Sequence, residues 1–393
     1  MLSRLASELK SKIQIDIDNN QQQLTDLSFK IHSNPEIGFK EYKASNWLTQ
    51  YLENNGFKVD RGICNLDTAF KASYGTKRPA IAILAEYDAL PNIGHACGHN
   101  LIAAIAVGAA VSSKSIIDKL KGSILVFGTP AEEIFGGKVI MVNRGAFKDI
   151  DIAMMVHPST HDTATTKALS CISLEVKFFG REAHAAAHPE DGINALDAMV
   201  LSFNAINSLR QHTREDVRIH GIITDGGQIV NVIPAYSSAN FLVRARNISY
   251  LEVLKKKVLE CFKGAALATG AHFEYKWGSV QYAPMLNNIF MAHLYIDNMR
   301  MLGRNVKLSD PDQSLGSTDM GNVSQVVPSI HPSVSIAPKG ISIHSPDFAE
   351  ATASKMGIKG MLDSAKAISM TIVDLLDNPE TINQVRQEFA SNF

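Results

Sequence analysis

Three short, almost wholly apolar runs constrain this chain more than any other feature. They are residues 80–85 (AIAILA), 123–127 (SILVF) and 152–156 (IAMMV). Each has the length of one strand, and a strand without polar alternation is buried on both faces. Helical patterns lie between and after them, as at residues 101–112 and 138–144. Strand–helix–strand alternation of this kind predicts an α/β architecture, a mixed, mainly parallel sheet flanked by helices. The apolar fraction of 45% is ample for such a core.

The pattern changes near residue 168. Residues 171–179 (CISLEVKFF) alternate as a half-exposed antiparallel strand does. A helical stretch at 195–209, an alternating run at 235–245, an amphipathic helix at 250–268 and a strand at 272–277 follow. That is roughly β-α-β-β-α-β, the ferredoxin-like unit. After Pro284 the first pattern resumes, with a helix at 289–301, a strand at 334–337 and one long helix at 348–376. The expected organisation is a catalytic domain in two parts, 1–167 and 285–393, with a ferredoxin-like α+β lid inserted at 168–284.

Charge excludes some partners. There are 38 Lys+Arg against 39 Asp+Glu, a net −1, so there is no electrostatic footprint for nucleic acid or for an anionic membrane. Four Cys make no disulfide framework. The first 20 residues read as an amphipathic helix, not a signal segment. The longest apolar stretch, 102–111, is shorter than the roughly 20 residues of a membrane span. The expectation is a soluble, cytoplasmic protein.

Chemistry concentrates at the ends of the apolar runs. Residues 85–100, AEYDALPNIGHACGHN, place Glu86, Asp88, His95, Cys97 and His99 between a buried strand and a helix, where α/β folds put their sites. A thiolate and an imidazole two residues apart suit zinc and related divalent ions. Glu132 and Glu133 follow the SILVF run. Adjacent carboxylates repel unless a cation lies between them, although a solvated pair opening a helix is the other reading. His157 ends the IAMMV run and His344 lies in ISIHSPDF before the last helix; singly, either is as readily a packed histidine. Together, Cys97, His99, Glu133, His157 and His344 are enough ligands for two divalent ions about 3.5–4 Å apart, with Glu132 left as a base. Gly136–Val139 (GGKV) is not a phosphate-binding loop, because Glu132 stands at the first glycine position and Val139 replaces Ser/Thr.

The ordered set AEYDALP, GHACGHN, TPAEE, VHP, GREAHAA, NVIPAYSSANFLVR, GSTDMGNVS and HSPDF resembles the dinuclear-metal amidohydrolase and peptidase family. That family includes aminoacylase, glutamate carboxypeptidase, indole-acetyl-amino-acid hydrolase and aminobenzoyl-glutamate hydrolase. The likeness runs from about residue 20 to residue 375 and is strongest to the branch with a Cys ligand. It implies a phosphorylase/hydrolase-like catalytic domain, two Zn2+ or Mn2+ ions on Cys97, His99, Glu133, His157 and His344, and Glu132 as general base. It also implies a lid that makes at least a dimer, with His184 reaching the partner's site, and Asn231 and Arg244 holding the substrate. Asn100 replaces a common Asp, and Glu86-Tyr87-Asp88 replaces a common Asp-Met-Asp. Both changes point to the aminobenzoyl-glutamate and dipeptide side of the branch, with Asp88 among the carboxylates that orient ligands. The implied reaction is hydrolysis of an amide in an N-acyl amino acid, dipeptide, short peptide or aminobenzoyl-glutamate by metal-activated water. Rival readings are a ureido or carbamoyl amidohydrolase of the allantoate type and a non-catalytic metal-binding relic.

Overall fold

A computed structural model describes residues 3–310 and 316–392. The strands are β1 (Lys58–Arg61), β2 (Phe70–Gly75), β3 (Ala80–Ala85), β4 (Ser123–Gly128), β5 (Ile152–Met154), β6 (His157–Ser159), β7 (Ser170–Phe179), β8 (Arg218–Asp225), β9 (Tyr236–Ala245), β10 (His272–Tyr282), β11 (Ser329–Ile330) and β12 (Ser333–Ser335). The chain forms two compact units. One holds the chain before Ala168, the stretch from Met285 to Asp310 and the stretch from Asp319 onward; the other is Ala168–Pro284 with residues 316–318.

The first unit carries a six-stranded sheet in the order β1-β2-β4-β3-β5-β11. The four strands β4, β3, β5 and β11 run parallel, while β1 and β2 join antiparallel at one edge. The three apolar runs are the strands β3, β4 and β5, and β3 is buried throughout. A separate parallel pair joins β6 to β12. The antiparallel edge escaped sequence reading because KVDR and FKASYG carry charge and glycine where the central strands carry only apolar residues.

Helices cover the sheet. His99–Ser112 is buried on nearly every side, against β3 and the helix Lys355–Asp377. With the next helix it forms an apolar span, His99–Leu120, long enough to cross a membrane by length and composition, yet 83% of its most apolar 18-residue stretch is buried inside the fold. Enclosure by sheet and helices explains the all-round apolarity. The expected long helix at 348–376 is instead two helices, Pro346–Thr352 and Lys355–Asp377. Ser354 interrupts it, its extended backbone letting Oγ accept from Gly357 N at 3.1 Å as an N-cap.

The second unit is a four-stranded antiparallel sheet in the order β10-β7-β9-β8. Numbered within the unit, this is the 4-1-3-2 order of the ferredoxin-like fold. Helices Ala195–Arg210 and Ile248–Thr269 pack on each other and on the sheet, with Val176, Phe178, Phe241 and Phe262 in the core. The strand β8 follows no alternation in sequence: Ile222 and Ile223 are both exposed.

Asp151 pins the start of the parallel sheet. Its Oδ2 accepts from Ala80 N at 2.8 Å and Arg78 Nη1 at 2.9 Å, and its Oδ1 from Arg386 Nη2 at 2.6 Å. Burial pushes the carboxyl up, but the Ala80 amide and the two guanidinium groups outweigh it and hold it below its ordinary value of 3.8. A depressed carboxyl contributes stability above its unfolded pKa and loses it as pH falls through the folded one. We expect Asp151→Asn to cost about 1–3 kcal/mol at neutral pH. The gap should narrow as urea denaturation is repeated at pH values falling below the ordinary carboxyl value of 3.8.

Candidate metal centre

The parallel strands end on one rim, and each end carries a group able to bind or move a proton. From β3 the chain enters Glu86-Tyr87-Asp88, and the buried Tyr87 anchors this turn by donating to Thr68 O at 2.6 Å. From β4 it passes Thr129-Pro130-Ala131 into Glu132 and Glu133. Ala131 holds φ at 61°, the left-handed region that ordinary residues avoid. The buried Glu41 supports it, accepting from Ala131 N at 2.8 Å and from Thr68 Oγ1 at 2.8 Å. Burial, with Asp88 nearby, raises Glu41 to about 7. His157 follows β5.

The Cys97 loop is forced against His157. Gly98, at φ 84°, caps the helix that begins with His99, and a Cβ there would meet Pro158 Cγ at 2.8 Å. Only glycine allows both that backbone and that approach. His344, also left-handed at φ 67°, donates its main-chain N–H to Ala96 O at 2.9 Å. Its ring therefore reaches the same loop from the far end of the sequence.

These constraints gather the five expected ligands. Cys97 Sγ lies 3.4 Å from His157 Nε2 and 3.3 Å from His344 Nε2. His344 Nε2 is 3.5 Å from Glu133 Oε2, and His99 Nε2 is 3.8 Å from Glu133 Oε1. Cys97 with His99 and His157 makes one group of potential ligand atoms within 4.8 Å, and Cys97 with Glu133 and His344 makes a second. Glu132 joins His99 and Glu133 in a third.

Hydrogen bonds leave the ligand faces open. His99 Nδ1 contacts Asp88 Oδ1 at 2.9 Å and Asp88 O at 3.0 Å, so Nδ1 carries the proton and Nε2 faces the group. Asp88 Oδ2 accepts from Glu133 N at 3.0 Å, tying the ends of β3 and β4 together. His157 Nδ1 donates to Pro158 O at 2.7 Å, again leaving Nε2 toward the sulfur. His99 Nε2, Glu133 Oε1 and Glu86 Oε2 are buried without a hydrogen-bond partner. Orphaned His99 and Glu133 atoms in residues grouped with a thiol are what a cation site leaves behind, and the sulfur, nitrogen and carboxylate donors suit a zinc-like divalent ion.

The electrostatics agree. Burial pushes the Cys97 thiol well above its ordinary value, and Glu133 adds to that. Burial likewise raises Glu132, reinforced by Glu86, Asp319 and Glu133. Burial lowers His157 to about 4, keeping it neutral. His99 is the exception: burial opposes its charge, but Asp88, Cys97 and Glu86 overcome that and raise it well above 6.5. A divalent cation reverses each penalty on the acids and replaces the imidazole proton.

Asn100 does not face this group through its amide nitrogen, which donates to Ser28 Oγ at 3.0 Å. Sequence reading missed Glu41, Lys138 and Asp319. Lys138 Nζ contacts Glu86 Oε1 at 2.5 Å and Asp319 Oδ1 at 2.7 Å, with all three side chains buried. In the second unit, Ala185 N donates to Asn231 O at 2.9 Å, placing the His184 and Asn231 segments side by side. His184 is exposed, and its Nδ1 accepts from Ala187 N at 3.1 Å. Arg244 lies on β9, where Nη1 donates to Ser317 Oγ at 3.2 Å and the buried Nε has no hydrogen-bond partner.

A thiol–imidazole–carboxylate cradle on the rim of a mainly parallel sheet, in a chain that also carries a ferredoxin-like unit, defines a metallohydrolase of the amide-cleaving class. Residues 82–362 match the model of peptidase family M20/M25/M40, and the chain belongs to that family. It is 38% identical to the Xaa-Arg dipeptidase of Homo sapiens over 95% of this chain and 90% of that one. It is 34% identical to one of the polypeptides of p-aminobenzoyl-glutamate hydrolase from Escherichia coli, over 66% of this chain and 59% of that one. A dinuclear metal binding peptidase of the M20 family from Bacillus subtilis shares the fold with a TM-score of 0.69 at 20% identity, over 91% of this chain and 99% of that one. The chain is a hydrolase of amide or peptide bonds that depends on divalent metal.

Asp88 holds the His99 ring and the Glu133 main chain. We expect Asp88→Ala to weaken divalent-metal affinity about 10- to 100-fold, measured by competition with a chromogenic chelator. Unchanged affinity in a folded variant would refute that role.

Proposed function

We propose that the chain is a dipeptidase-type metallo-amidohydrolase, with two Zn2+ or Mn2+ ions held by Cys97, His99, Glu133, His157 and His344. The observation that carries this reading is the shared position of Cys97 between two ligand groups, with orphaned His99 and Glu133 atoms beside Glu132. Bound there, the ions would supply Lewis-acid polarisation of a carbonyl and of an attacking water. Glu132 then takes the water's proton and returns it to the leaving nitrogen. Asp88 fixes the His99 ring, and Glu41 fixes the Ala131 turn that presents Glu132.

The substrate we favour is a dipeptide with a basic C-terminal residue, on the strength of the 38% identical relative. Arg244 would hold its carboxylate and Asn231 would orient its amide carbonyl. The location we propose is cytoplasmic. The test is an assay of metal-loaded protein on Xaa-Arg and Xaa-Lys dipeptides, p-aminobenzoyl-glutamate, N-acetyl amino acids and N-carbamoyl amino acids. Fastest turnover of the basic dipeptides is expected; turnover confined to carbamoyl substrates would replace this assignment.

Glu132→Gln should keep its metal, measured by atomic emission, and lose about 10²–10⁴-fold in kcat. Near-wild-type kcat in the metal-replete variant would remove Glu132 as the base. Chelation should abolish wild-type activity, and added Zn2+ or Mn2+ should restore it.

We also propose that the ferredoxin-like unit makes a dimer in which His184 serves the partner's site. The strands β8 and β10 are unpaired edges able to meet another chain. Acceptance at Nδ1 leaves His184 Nε2–H as a donor, as an oxyanion requires. Mixing His184→Ala with Glu132→Gln chains should restore up to about a quarter of wild-type sites, because only one site of each mixed dimer has both groups. No recovery after demonstrated exchange of chains would place His184 in cis or outside the reaction.

A further inference from the structure

The segment Gly136–Val139, which fails as a phosphate loop, brings Lys138 into the site. Its side chain is fully buried, an uncommon place for a lysine without a dedicated partner. Lys138 has two: Nζ meets Glu86 Oε1 at 2.5 Å and Asp319 Oδ1 at 2.7 Å. Its main-chain N–H also donates to Asp319 Oδ2 at 2.9 Å, so one residue holds both oxygens of that carboxylate. Oxygens of Glu86, Glu132 and Asp319 lie within 4.8 Å of one another. On acid spacing alone that is a further cation group beside those described above. The lysine makes it different, because a cation is already there.

We propose that Lys138 is the resident cation of this carboxylate triad and a positioning residue for Glu132 and Glu86, filling with a covalently attached ammonium the place a third ion would take. Resting on the two-ion reading above, this assigns the triad a fixed charge of the chain itself and leaves the exchangeable ions to the cysteine groups.

Three observations support it. Burial works against the ammonium, yet Asp319, Glu86 and Glu132 hold it protonated. The two contacts are short and charge-assisted, and every partner is immobilised by burial. Glu86 is used at both ends: Oε1 faces Lys138, while Oε2 lies 3.3 Å from His99 Nε2 with no hydrogen-bond donor. Lys138 therefore sets the carboxylate that borders the metal-facing nitrogen of His99. An ammonium is a suitable group here, being compact and having three donors.

The test replaces the ammonium and asks whether a free cation returns. Full-length Lys138→Ala is unfolded thermally in potassium, ammonium or tetramethylammonium chloride at matched ionic strength, with its divalent ions first removed by chelation. The variant's midpoint should rise with ammonium or potassium and not with tetramethylammonium, while the wild type treats the three alike. In the metal-loaded variant kcat should fall on the order of 10²-fold, the scale of one fixed electrostatic contact, with KM little changed and partial recovery in ammonium. A folded variant that ignores all three salts and keeps wild-type kcat would overturn the proposal.

If Lys138→Ala does not fold, the charge-balanced pair Lys138→Met with Asp319→Asn should fold and still take two divalent ions per chain. Its failure to fold would assign the lysine to packing and also overturn the proposal. Wild-type protein that takes up no divalent ion would instead sink the two-ion reading; the monovalent response of chelated protein is read without activity, so the two failures separate.

Discussion

The rest of the structure depends on a concentration of negative charge away from water. Glu86, Asp88, Glu132, Glu133 and Asp319 converge on one rim of the sheet, mostly buried. Carboxylates crowded in a low-dielectric interior destabilise one another unless each is matched by a donor or a cation. Asp88 is matched by the His99 ring and the Glu133 amide. Glu86 and Asp319 are matched by Lys138. Glu133 is left with an orphaned oxygen beside a thiol and imidazoles. The residual imbalance is one that a divalent ion would correct.

The scaffold serves that arrangement by rigidity. Parallel strands deliver side chains to a single edge, where their ends diverge into loops. Two of those loops carry non-glycine residues in the left-handed region, Ala131 and His344, and both are clamped by hydrogen bonds. Strain that is over-determined by its surroundings holds a reactive group in one orientation.

The central strands β3, β4 and β5 were legible because they are almost wholly buried and therefore almost wholly apolar. The strands β1, β2 and β8 were not, since edge positions and one exposed face permit the mixed composition of loops. The helix break at Ser354 was hidden by continuous apolar spacing; an N-cap serine reads as an ordinary helix residue until its backbone is seen. The residues proposed as metal ligands were legible one by one, as Cys97, His99, Glu133, His157 and His344 follow or neighbour recognisable strand ends, and the structure groups them. Lys138, Asp319 and Glu41 were not. Each acts through a contact far along the chain, 181 residues in the Lys138–Asp319 pair and 90 in the Glu41–Ala131 pair, and no local pattern announces a buried ion pair.

The insertion of the ferredoxin-like unit bears on how the protein is made. The strand β5 pairs with β11, Ala153 against Ser329 and Met154 against Ile330, and the whole second unit is synthesised between them. A chain emerging from the ribosome thus exposes an unpaired, apolar parallel edge while the intervening unit, with its own core, is already able to fold. Long-range parallel pairing is slow because its loop must close before any contact rewards it. His344 emerges later still. A nascent or truncated chain therefore carries the Cys97 thiol before the imidazole that neighbours it in the fold exists, and a metal group that includes His344 would be completed only at the end of biogenesis.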